Sequence, residues 1–195
     1  MNCTKQIQID NITYTADIDF RTILKCEEIM HNEDIDEFEK TLGMICTVFG
    51  EDALDNIEHY EKLIKWIINY MTCGKETENT NEEPDMDFIE DMEYIEASFM
   101  SDYHIDLENT KMEWQKFYKL VNGLSNSEFG NCCILNRIRN LRNYDTKDIK
   151  DPNELSKIIK QKEQFALKKR KKQKETELTE KQQQSVDEFY KALGY

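Results

Sequence analysis

Residues that turn a chain are scarce here: two prolines and six glycines in 195 residues. A protein built from many short strands needs frequent turns, so this scarcity excludes an all-β sandwich or barrel and favours helices. Histidine occurs three times, which thins every catalytic or metal-binding scheme that relies on imidazole. Long apolar runs are also missing. Even LIKWIINYM (residues 63–71) is interrupted by Lys65, well short of the roughly 20 apolar residues of a bilayer-spanning helix. No membrane is expected among the partners. Six cysteines are present, yet none form a C-x-x-C pair, and MNCTKQIQID lacks the charged-then-apolar pattern of a secretory signal. Free thiols in a reducing cytosol, acting as small buried hydrophobes, are expected.

Charge is abundant, 34% of residues with a formal net charge of −14, and unevenly placed. Residues 1–110 hold 7 Lys/Arg against 28 Asp/Glu, and residues 111–195 hold 19 against 12. The acidic part repels nucleic acid. The asymmetry suits head-to-tail self-association or a basic partner.

QIQIDNITYT (residues 6–15) is the one good strand signal, two alternating segments about Asp10-Asn11, and it predicts a short hairpin that must pack on helices. Helical patterns follow. Phe20 to Met30 starts after Asp19 as N-cap; 36–49 shows Phe38, Leu42, Ile45 and Phe49 as its stripe; 52–71 ends before Gly74. GKETENTNEEPD (residues 74–85) reads as an exposed loop. Phe88, Met92, Ile95 and Phe99 then form one helical face, and Trp114, Phe117, Val121 and Leu124 form another, with Gly123 placed as a Schellman-type stop. The polar residues between these apolar positions are expected to point outward. Ser125 to Glu128 is a capping box for a helix running to about Leu141. DPNE (residues 151–154) starts a long helix carrying Leu155, Ile158, Ile159, Phe165 and Leu167, with proline at its first position.

The predicted architecture is all-α, a helical bundle with a small N-terminal β-hairpin (residues 1–145) and a long charged C-terminal helical extension (151–195). The expected core includes Phe20, Leu24, Leu42, Ile64, Ile67, Ile95, Phe99, Trp114, Phe117 and Val121.

The chemical motifs fail one after another. Asp85, Asp87 and Glu96 match positions one, three and twelve of an EF-hand loop, but the sharp turn falls on Glu90 instead of glycine. A di-iron bundle needs two Glu-x-x-His pairs, and Glu28 with His31 is the single one present. Cys132 and Cys133 are adjacent, a poor chelating spacing. No G-x-S-x-G, G-x-G or G-K-[ST] motif occurs. No catalytic residue, metal or cofactor is assigned, and no enzymatic activity is expected.

Two segments read as contact surfaces. Lys168, Lys169, Arg170, Lys171 and Lys172 begin a basic run, KKRKKQK, without interleaved aromatic residues. It fits a solvated helix face or an acidic protein better than single-stranded nucleic acid. Near the end, Val186, Phe189, Tyr190 and Leu193 stand at helical spacing. They serve equally well as a partner-binding face or as a segment folded back on its own core.

DFR (Asp19 to Arg21) after a hairpin, YIEASFMSDYHIDL (residues 94–107) and WQKFYKLVNGL (residues 114–124) together resemble the bacteriophage gene-product-fifteen family, over about residues 10–145, and QFAL (residues 164–167) resembles a family ending. The resemblance implies a tail-assembly protein of long-tailed phages and prophages. It further implies a chaperone that binds the tape-measure protein, and also the tail tube protein, in the bacterial host's cytoplasm. No catalytic residue comes with the family. The alternatives are a structural tail or virion component, and a binder of nucleic acid or an acidic surface through the basic run.

Overall fold

A computed structural model describes residues 3–75, 84–126 and 132–168. The hairpin forms as the alternation predicts: β1 (Thr4–Ile9) pairs antiparallel with β2 (Ile12–Asp17), Ile9 opposite Ile12. Asp10 takes φ +52° at the turn, a conformation that aspartate tolerates better than most residues. Ile9, Tyr14 and Ala16 bury the inner face.

Seven α-helices follow among the described residues: α1 (Phe20–His31), α2 (Glu37–Phe49), α3 (Tyr60–Met71), α4 (Met92–Tyr103), α5 (Trp114–Asn122), α6 (Ile134–Asn143) and α7 (Pro152–Gln164). The core is an aromatic stack. The Phe20 and Phe117 rings lie parallel at 4.5 Å, Phe99 stacks on Phe117 at 5.5 Å, and Phe88 meets Trp114 edge-on at 5.3 Å. Such side chains contribute on the order of 2–3 kcal/mol each through burial. Trp114 also donates its indole N–H to the Met71 carbonyl at 2.8 Å, tying α5 to the end of α3.

Eight of the ten expected core residues are buried; Leu42 and Ile64 are half-buried. On α2 the buried residues are Met44, Ile45 and Val48, and Phe38 is 62% exposed. The inward face is therefore rotated by about one position from the expected stripe. On α3, Leu63, Ile67, Tyr70 and Met71 point inward, and Ile64 falls about 100° from Leu63 on the helical wheel.

Several boundaries move. The segment expected as helix from 52 opens as two 3-10 turns, Glu51–Asp55 and Ile57–His59, before α3. The break brings His59 beneath the hairpin, where its Nδ1 meets the Tyr14 hydroxyl at 2.7 Å and its Nε2 lies 3.2 Å from Asp10. Phe88 precedes α4 instead of belonging to it. Gly123 keeps φ −92°, so it is no left-handed Schellman stop. A Cβ there would sit 2.9 Å from the Tyr103 hydroxyl, which itself donates to the Leu120 carbonyl at 2.9 Å; a larger residue would have to shift that hydroxyl from its bond.

α6 begins at Ile134, and the Cys133 sulfur accepts the Asn136 N–H as its cap at 3.4 Å; Ser127 and Glu128 of the expected capping box, and the first turn after it, lie outside the described residues. α7 starts at the Asp151 cap as predicted and ends at Gln164. Phe165 and Leu167 therefore stand beyond the helix, and Leu167 is buried.

The polar residues of the 94–107 stretch do not all face water. Ser98 is fully buried; its hydroxyl donates to the Tyr94 carbonyl and accepts the Leu135 N–H at 3.2 Å. Asp102 accepts the Ser125 N–H at 2.8 Å, and this bond holds its carboxyl below the usual aspartate value.

Candidate functional site

DFR acts as a clamp. The Asp19 carboxylate accepts the Arg21 and Met112 N–H groups at 3.1 and 3.3 Å. Phe20 donates its backbone N–H to the Met112 carbonyl and Trp114 donates its own to the Ile18 carbonyl, forming a β-bridge between Asp19 and Glu113. The Arg21 guanidinium then gathers the carbonyls of Leu107, Glu108 and Thr110. The start of α1 and the 107–110 loop are thereby held at fixed separation.

A second clamp fixes the opposite wall. Arg142 and Asp91 are both buried and make a two-pronged ion pair at 2.6 and 2.7 Å. Arg142 also reaches the Asp85 carbonyl at 2.8 Å and the Phe165 carbonyl at 2.7 Å. Asp87 caps the following turn by accepting the Ile89 and Glu90 N–H groups at 2.8 and 2.9 Å. This geometry leaves Ile89 38% exposed on the surface.

Between the clamps lies a groove of about 520 Å³. Its floor is Phe20, Leu24, Met92 and Leu107, with Ile89 at one lip. Arg21, Lys25, Glu28, Glu96 and Glu108 form the rim. Arg21 is engaged by its carbonyls and Asp19, so Lys25 is the remaining cation of the lining against three carboxylates. Burial pushes the Glu96 carboxyl above its ordinary value, and the charges of Glu108, Glu93 and Asp106 add to that rise. An apolar floor under a carboxylate-rich rim can accept the apolar face of a helix whose flanks carry lysine or arginine.

The EF-hand candidates separate in space and role: Asp85 pairs with Arg139 at 3.2 Å, Asp87 caps a turn, and Glu96 lines the groove. Among the described residues no group of three or more His, Cys, Asp or Glu is arranged to hold a metal ion. Likewise, no described helix is long and apolar enough to cross a membrane. The thiols of Cys3, Cys26 and Cys133 are buried, and burial pushes that of Cys26 up to about 12.

Of the sequence-proposed contact residues, Lys168 is exposed and donates its backbone N–H to the Glu90 carboxylate at 3.0 Å. Lys169, Arg170, Lys171, Lys172, Val186, Phe189, Tyr190 and Leu193 lie outside the described residues. The sequence reading missed the groove. Its floor residues are scattered over three segments, and the one local signal, Phe20 with Leu24 one turn apart, also describes ordinary core.

A family model described as Bacteriophage Gp15 protein matches residues 3–167, taking in both clamps and the QFAL segment. No curated protein and no solved structure matches.

Proposed function

The chain belongs to the bacteriophage Gp15 family, phage structural or assembly proteins, and from that premise we propose that it is a tail-assembly chaperone for the tape-measure protein. A tape-measure protein is a long helical chain with apolar stripes, which are liable to aggregate until the tail tube encloses them. The groove supports this reading: it offers apolar area to such a stripe and carboxylates to the flanking lysines or arginines. The net charge of −14 keeps a complex soluble. Tube subunits then displace the chaperone in the host cytoplasm, and no chemical step is required of it.

Co-expression with the tape-measure protein of the same tail module tests this. The complex should be recovered by pull-down and the tape-measure protein should shift to the soluble fraction. Ile89→Asp, at the exposed lip, should reduce recovery at least tenfold while leaving the fold intact by circular dichroism. Absence of a complex with the native chain defeats the proposal. Purified particles add a second reading: a chaperone is missing from their mass spectrum, whereas a structural subunit is present in stoichiometric amount.

A further inference from the structure

Helix α2 carries more apolar surface than the core uses. Met44, Ile45 and Val48 are its buried residues. Phe38, Leu42, Cys46 and Phe49 follow one another at four, four and three positions, which draws a second line about 100° round the helix from the buried one. Phe49 ties the end of that line to the body, its ring centred 6.0 Å from Tyr14 and 5.5 Å from Trp66. Toward the start of α2 the line comes free. Cys46 and Leu42 are half-buried, and Phe38 is 62% exposed. The capping box does not explain a phenylalanine there, because the Asp36 carboxylate takes the backbone N–H groups of residues 38 and 39. The line is about 16 Å long, enough for two to three turns of a second helix.

Its surroundings are anionic. Residues 33–66 hold ten Asp/Glu against three Lys/Arg. Phe38 stands between Glu37 and Glu39, Asp34 precedes the line, and Glu51 and Asp52 follow it, all of them exposed. Lys40 lies on the far side of α2 from Phe38 and pairs with Glu37 at 2.7 Å. Lys62 pairs with Asp10 at 2.8 Å, and Lys65 pairs with Glu61. Each lysine of this stretch thus has a carboxylate partner, and the remaining carboxylates set the sign of the field.

That sign selects the occupant. Nucleic acid is repelled, and so is a second copy with a net charge of −14. A helix whose apolar stripe is flanked by lysine or arginine is attracted, and it covers Phe38 when it docks. We infer that the outer line of α2, Phe38 with Leu42 and Cys46, is a second seat for the tape-measure protein, taking a basic-flanked helical stretch other than the one in the groove. This rests on the chaperone reading and extends it to a surface of its own. The groove is lined from α1 by Leu24, Lys25 and Glu28, whereas α1 meets α2 on another side, where Ile29 packs beside Gly43. A long client held at two separate places needs neither contact to be tight, because the second engagement is intramolecular once the first is made.

The test places the photoreactive residue p-benzoylphenylalanine at position 38 of the full chain, co-expressed with the tape-measure protein of the same tail module. Irradiation should join position 38 to tape-measure segments in which lysine or arginine flanks an apolar helical stripe. In parallel, Phe38→Ser should weaken the complex about tenfold, and Phe38→Leu should keep it within about twofold of native. Both variants should stay within about 2 °C of the native thermal midpoint, because the side chain is mostly in water. If the native chain and Phe38→Ser recover the tape-measure protein equally and position 38 forms no cross-link to it, the inference is overturned while the chaperone reading stands. Cross-links from position 38 to a second copy of this chain overturn it too, because the occupant is then the chain itself. A native chain that recovers no tape-measure protein defeats both.

Discussion

Arg142 gathers the Asp91 carboxylate and the carbonyls of Asp85 and Phe165 around one buried guanidinium. Truncating it strands a buried carboxylate and two carbonyls. Arg142→Ala should therefore cost about 3–5 kcal/mol, the range for breaking a buried pair, readable as a lower urea midpoint. Replacing both partners at once, Asp91→Leu with Arg142→Met, should cost less than the single change, because no charge is left unpaired. This site was illegible in the sequence. Asp91 and Arg142 stand 51 positions apart, and each resembles the many charged residues that face water. DFR was legible as a motif, but its task was not: the carbonyls that Arg21 collects lie 86 to 89 positions away.

Local rules governed the elements wherever the deciding atoms were near in sequence. α2 begins at Asp36, whose carboxylate accepts the Phe38 and Glu39 N–H groups at 2.8 Å while Glu39 returns a bond to the Asp36 N–H. Asp36→Ala removes one half of this box and should destabilise the protein by about 1 kcal/mol; Asp36→Ser should recover most of that in thermal unfolding. Asp19 and Asp151 likewise open α1 and α7 as their sequences predict. Boundaries failed where tertiary packing intervened. The helix expected from 52 breaks so that His59 can meet Tyr14 across 45 positions. α7 stops at Gln164, where Arg142 takes the Phe165 carbonyl and Leu167 turns into the core.

At the scale of the molecule, acidity has a cost concentrated in the groove. Glu96 titrates above its ordinary 4.5, through burial first and neighbouring carboxylates second. The folded chain therefore holds that proton to higher pH than the unfolded chain does, and stability falls as pH rises through the interval between the two. Glu96→Gln should raise the thermal midpoint at pH 7, with the gain vanishing below about pH 4, where the acid is neutral in both states. The same substitution should weaken occupancy of the groove by a lysine-bearing segment, so stability and binding move in opposite directions.

The sequence by itself determined the helical class, the hairpin, most of the buried aromatic residues and the family, because periodicity, caps and turn residues act over a few positions. Only the tertiary structure decided which face of α2 turns inward, where the helices break, and that α1, α4 and a distant loop enclose one groove. Those outcomes depend on groups some 40 to 90 positions apart meeting in a low-dielectric interior, where an unpaired charge or carbonyl costs more than a displaced helix end.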